Sequence, residues 1–127
     1  MLYAVLIYNA EAELGELTKA DLDGLIARHE RVQEQLAAEG KLGPVVRLMS
    51  TSTATTLRPG RNNVITDGPF AETKEQLLGF YVVDCATVEE AQDAARLIGG
   101  ACNARTLEVR PVGLFYPGGD IKAVKTL

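Results

Sequence analysis

Two stretches of the chain are apolar at every position, and they set the expected architecture. Leu2-Tyr3-Ala4-Val5-Leu6-Ile7-Tyr8 and the run from Leu77 to Val83 lack the polar alternation of a half-exposed strand. Such runs belong to strands covered on both faces. Asn9 to Leu17 is more polar and predicts a loop. Thr18 followed by Asp21 predicts a helix start, because their side chains can satisfy each other's backbone N–H groups. Leu22, Leu25, Ile26, His29, Val32 and Leu36 then recur at helical spacing. The helix is expected over residues 19–39, with Gly40 as its stop.

Leu42 to Met49 predicts a second strand. The Ser/Thr-rich stretch 50–56, the turn Pro59-Gly60-Arg61-Asn62-Asn63 and the exit Val64-Ile65-Thr66 predict a hairpin inserted beside the main sheet. Thr87 with Glu90 forms a second capping box. Val88, Ala91, Ala94, Ala95 and Ile98 make a helical face of small residues, and Gly99-Gly100 is its expected end. Residues 106–112 alternate, Leu107 and Val109 against Glu108 and Arg110, as in an edge strand. Phe115 to Gly119 is turn-like, and Ile121, Val124 and Leu127 are the packing candidates of a tail.

The order strand, helix, strand, hairpin, strand, helix, strand predicts an α+β fold. It fits a ferredoxin-like βαββαβ unit with a hairpin insertion, over residues 1–113, and an extension at 114–127. That topology puts the first and third main strands in the centre, and those are the two fully apolar runs. Both helices then cover one face. Tyr3, Val5 and Ile7 share one side of the first strand, Ala4 and Leu6 the other, so the second face also needs cover. A face-to-face homodimer supplies it.

Composition narrows the function. A chain of 127 residues, 46% hydrophobic, fits one ordered domain. The net charge of −4 and the scattered basic residues argue against a nucleic-acid or membrane-surface partner. The opening apolar run is too short to span a bilayer and is expected to be a strand. Cys85 and Cys102 form no CxxC, and the single histidine, His29, is distant from both in sequence. No metal site or other cofactor is expected. Reduced, unreactive thiols in a cytoplasmic protein are the expectation.

The candidate chemistry lies in the polar stretch from Thr66 to Gln76 and on the strands beside it. Asp67 can serve as a general base or ligand contact, or hold its own turn through backbone N–H groups. Glu72 and Lys74 can pair at a cleft mouth or simply be solvated. Phe70 is the expected anchor of the loop. His29 lies on the sheet-facing stripe, as a hydrogen-bonded core-edge group or a proton-transfer group. Asp67, Glu72 and His29 are thus the catalytic candidates, and Tyr8, Lys74, Tyr81 and Arg110 the ligand-binding ones. Arg58 is a weaker candidate.

Asp67-Gly68-Pro69-Phe70-Ala71-Glu72-Thr73-Lys74-Glu75, continued by Gly79-Phe80-Tyr81, resembles the signature of the YCII-related, or DGPF-domain, family. Leu6-Ile7-Tyr8 and Glu108-Val109-Arg110-Pro111 are similar to further family features, so the likeness covers about residues 1–113. The resemblance implies a dimeric α+β barrel of ferredoxin-like subunits with a cleft between sheet and helices. For some relatives it implies chemistry through a histidine and an aspartate, and for the DGPF type a link to extracytoplasmic-function sigma factors. The sequence departs from the first pattern: its histidine lies in a helix, and Ala101-Cys102-Asn103-Ala104-Arg105 has no proline. Three functions follow as expectations. The first is a dimeric small-molecule-binding or regulatory protein. The second is an enzyme of proton-transfer or lyase/isomerase type, and the third an interaction module for a transcription regulator.

Overall fold

A computed structural model describes residues 1–126. Leu127, one of the proposed tail anchors, lies outside the described residues. The elements are β1 (Leu2–Asn9), α1 (Glu11–Leu14), α2 (Lys19–Ala38), β2 (Leu42–Arg47), β3 (Thr55–Arg58), β4 (Val64–Asp67), β5 (Gln76–Asp84), α3 (Val88–Cys102) and β6 (Thr106–Pro111). They form a mixed α+β fold. A four-stranded antiparallel sheet runs in the order β2-β5-β1-β6, and β3-β4 is a separate hairpin.

The two fully apolar runs are the two central strands. On β1 every second residue is buried: Tyr3, Val5, Ile7 and Asn9. The register places Tyr3 opposite Val83 and Val5 opposite Tyr81, so these side chains share a face. Val32 and Leu36 of α2 and Ala91, Ala94, Ala95, Ile98 and Ala101 of α3 close over them. The alanine face of α3 lets the helix approach the sheet closely. Ala4, Leu6, Phe80 and Val46 lie on the opposite face, with Glu108 and Arg110 at its β6 edge.

Two glycines are required by close approach. A Cβ at Gly43 would lie 2.5 Å from the Val82 carbonyl oxygen, at the bulge that shifts the β2–β5 register. A Cβ at Gly79 would run into the carbonyl oxygen of Val46 on the same pair of strands.

The helices depart from expectation in three places. Thr18 and Asp21 do form a reciprocal capping box on α2. On α3 the box is only half made: Thr87 Oγ1 accepts from Glu90 N–H, while the Glu90 carboxylate accepts from Ala86 N–H. Gly99-Gly100 does not end α3, which runs on to Cys102 and stops at Asn103 in the left-handed region (φ 50°). Gly99 instead makes room for Leu107 of β6, whose Cδ1 would be 2.8 Å from an added Cβ. The expected loop after β1 contains the short helix α1, in which Glu13 and Leu14 N–H groups reach back to the Ala10 carbonyl.

The tail is a further correction. Ile121 and Val124 are 92% and 83% exposed, so they do not pack it down. Lys125 of the tail forms an exposed ion pair with Glu30 on α2, at 3.2 Å.

Candidate functional site

The sheet register divides the proposed site residues between two faces. Tyr81 of β5 points toward the helices, beside Val5, and meets His29 of α2: His29 Nδ1 is 2.6 Å from Tyr81 Oη and the rings stack with centroids 5.8 Å apart. Arg110 is the cross-strand partner of Ala4, and Tyr8 follows the same alternation as Ala4 and Leu6, so both belong to the opposite face. Asp67, Glu72 and Lys74 are exposed on the hairpin and the loop after it.

Around His29 lies an open cavity of about 830 Å³ between the first half of α2, the segment 14–17, and β2 with its continuation to Ser52. Leu22, Leu25, Val45 and Leu78 give it apolar walls. Asn9, Glu11, Arg28, Gln33, Arg47, Ser50 and Cys102 supply polar groups. Of the proposed catalytic residues His29 lines this cavity, and Asp67 and Glu72 do not. A single chain therefore does not assemble the three into one acid–base group.

The protonation states follow from the surroundings. Burial, then the positive charges of Arg28 and Arg47, push His29 below its ordinary value of 6.5. Burial pushes the Tyr81 phenol up, against a smaller downward pull from the Gln33 side chain. Near neutral pH both groups are uncharged. At 2.6 Å they share one hydrogen bond, in which either the phenol donates to Nδ1 or Nδ1–H donates to the phenol oxygen, according to the imidazole tautomer. Burial also raises the Cys102 thiol, which donates to the Ile98 carbonyl at 3.2 Å, and the buried Cys85 thiol. Both cysteines are free.

Two arginines in the wall were not singled out by sequence pattern. Arg28 Nε donates to the Ala101 carbonyl at 2.7 Å, at the last turn of α3, where a cation is also favoured by the helix dipole. Its Nη1 lies over Gly24, 3.3 Å from where a Cβ would be. Gly24 in the middle of α2 was the available signal, since helix-interior glycine is unfavourable unless something needs its space. Arg47 enters from β2, where it reads as an ordinary strand-end charge.

The signature stretch acts on the cavity at second hand. Phe70 is 76% exposed, so its ring does not anchor the loop. Its carbonyl accepts from Arg58 Nη2 at 3.0 Å. The turn is held by Gly68, with φ 96°: its N–H reaches the Ala54 carbonyl at 2.7 Å and its carbonyl accepts from Thr56 Oγ1 at 2.8 Å. Glu72 and Lys74 form no ion pair with each other among the described residues. Thr73 Oγ1 donates to the Glu75 carbonyl, and Gln76 Nε2 donates to the Thr73 carbonyl at 2.6 Å. Gln76 Oε1 accepts from Glu11 N–H at 2.9 Å. The Glu11 carboxylate then accepts from Thr51 Oγ1 at 2.8 Å and Thr51 N–H at 3.2 Å. This relay ties the signature to the cavity wall at Glu11 and Ser50.

The model of the YCII-related domain matches residues 1–114 of the sequence. The chain belongs to the YCII-related family. A curated relative, an uncharacterised protein of Rhizobium meliloti (strain 1021), is 47% identical over 120 residues, covering 93% of this chain and 97% of its own. The family stretch takes in every strand and helix and all the residues of the His29 cavity. Among the described residues, no helix of this YCII-related chain is long and apolar enough to cross a membrane, and no group of His, Cys, Asp and Glu side chains is placed to hold a metal ion.

Proposed function

We propose that this YCII-related protein is a cytoplasmic homodimer of ferredoxin-like subunits that binds a small molecule in the cavity around His29. The observation that carries the reading is the cavity itself: about 830 Å³, with apolar walls and a few convergent polar groups. That combination is the usual form of a small-molecule site. The sheet order β2-β5-β1-β6 supports the ferredoxin-like reading, since it sets the first and third main strands in the centre. Ala4, Leu6, Phe80 and Val46 on the helix-free face support a face-to-face dimer and a barrel built from two sheets.

A second reading is favoured by one distance. His29 Nδ1 and Tyr81 Oη are 2.6 Å apart, and in the tautomer whose Nδ1–H donates to the phenol oxygen, Nε2 is free to accept a proton from a bound acid. That arrangement supports proton transfer or lyase/isomerase chemistry at His29, with Tyr81 as its orienting partner. Asp67 is not required in it.

The test is ligand screening by NMR on the intact protein, reading the ring signals of His29. The chain has one histidine, so those signals are unambiguous. Compounds that fit the cavity are expected to move them saturably, and His29→Ala to weaken binding. Hits that bind with equal affinity to His29→Ala while shifting only residues of the β3–β4 hairpin would remove the cavity reading. Conversion of a bound acid by the native protein but not by His29→Gln would establish the second.

A further inference from the structure

The cavity reading leaves the ligand's chemistry open, and the charges in its wall narrow it. Two guanidinium groups enter from different elements, Arg28 from α2 and Arg47 from β2. Neither forms an ion pair with a carboxylate among the described residues. Arg28 is held by its Nε bond to the Ala101 carbonyl and lies over the space left by Gly24, which keeps its head near His29. The carboxylates that share the wall are otherwise engaged or at the rim. Glu11 is occupied by Thr51 and Ser50, Asp21 caps α2, and Glu16 is exposed on the segment before that helix, as Arg28 and Arg47 are on their own elements. His29 adds a third group: in the tautomer whose Nδ1 accepts from Tyr81, its Nε2–H is a further donor.

Resting on the cavity as the ligand site, we infer that its ligand is an organic acid, with a carboxylate between Arg28 and Arg47 and an apolar body against Leu22, Leu25 and Val45. Arginine forks match the two oxygens of a carboxylate, and they match a phosphate as well. The apolar walls favour the carboxylate of a carbon compound over a compact inorganic oxyanion, whose hydration nothing on those walls can replace. The neutral state of His29 fits the same ligand. A charged imidazole beside two arginines is unfavourable, so the two guanidinium groups are the positive centres that a carboxylate offsets.

The experiment titrates the intact protein with benzoate, benzyl alcohol and inorganic phosphate, following the His29 ring signals by NMR and the heat by calorimetry. Benzoate is expected to bind about tenfold more tightly than benzyl alcohol, and more weakly as salt is raised. Arg28→Gln and Arg47→Gln should each weaken benzoate about tenfold and leave benzyl alcohol unchanged, and Arg28→Lys should recover part of the loss. The Arg47 side chain makes no hydrogen bond among the described residues, and a substitution there leaves its backbone pairing with Gly79 in place, so its variant tests the charge. Equal binding of benzoate and benzyl alcohol, insensitive to both arginines, overturns the organic-acid assignment and leaves the small-molecule cavity standing. Phosphate binding as tight as benzoate also overturns it. Failure of all three probes to move His29 overturns it, while ligands found by the broader screen would still support the cavity.

Discussion

At the residue scale, His29 and Tyr81 decide what the cavity can do. Only the pairing of two apolar-flanked positions, one on a helix and one on a strand, brings them to 2.6 Å. The NMR midpoint of His29 is expected below 6.5, because burial and two arginines penalise its charged form. The sign of the stability effect follows. A histidine held below its unfolded value contributes stability that is complete above about pH 6.5 and declines as pH falls toward its folded value. Chemical denaturation at pH 7 and pH 5 should therefore show a smaller acid loss in His29→Gln than in the native protein. Equal losses would remove His29 as the cause. Tyr81→Phe should cost about 1 kcal/mol of stability and alter the His29 ring signals, since the phenol is the partner of Nδ1. Glu11→Ala should loosen the segment at Ser50 and Thr51. It should cost about 1–2 kcal/mol, seen as faster amide exchange at Thr51.

At the element scale, the strands and helices were largely legible. Period and capping located β1, α2, β5 and β6, since burial on alternating or helical positions is a local property of sequence. Thr18 and Asp21 marked the start of α2 correctly for the same reason. Gly99-Gly100 misled because glycine serves two purposes. It ends helices, and it also admits a neighbour, here Leu107 of β6. Asn103, in the left-handed region, is the true end. Asn103→Ala should destabilise by about 1–2 kcal/mol, and Asn103→Gly by little or nothing. Gly79→Ala should be more damaging, at least about 2 kcal/mol, because the added methyl meets backbone rather than a movable side chain. Thermal unfolding of the two variants separates a helix-end effect from a sheet collision.

At the scale of the whole molecule, Ala4, Leu6 and Phe80 are half-buried on the face away from the chain's two long helices, and the proposed dimer would complete their cover. Light scattering at micromolar concentration should give about twice the 13.6 kDa chain mass. Phe80→Glu should shift it to the chain mass, since a charge in that face opposes burial. A native protein that scatters as a single chain would remove the barrel. The hairpin and tail expose Ile65, Phe70, Leu114 and Tyr116, and their accessibility in the assembly is read by the same experiment combined with limited proteolysis.

Sequence by itself determined the family, the α+β class and the two central strands. Those rest on local pattern and on a contiguous signature, and neither needs distant contacts. It also placed His29 on the sheet-facing side of its helix. The composition of the cavity was decided by tertiary structure alone. Arg28, Gln33, Arg47 and Glu11 come from three separate elements, and Tyr81, behind His29, from a fourth; no spacing rule relates them. The signature drew attention to Asp67, Glu72 and Lys74 because they stand together in the chain. Folding turns those three outward and passes the signature's influence inward through Gln76 and Glu11. Side-chain direction on a strand reverses with each residue, so only the register decides that Tyr81 meets His29 while Tyr8 and Arg110 face away.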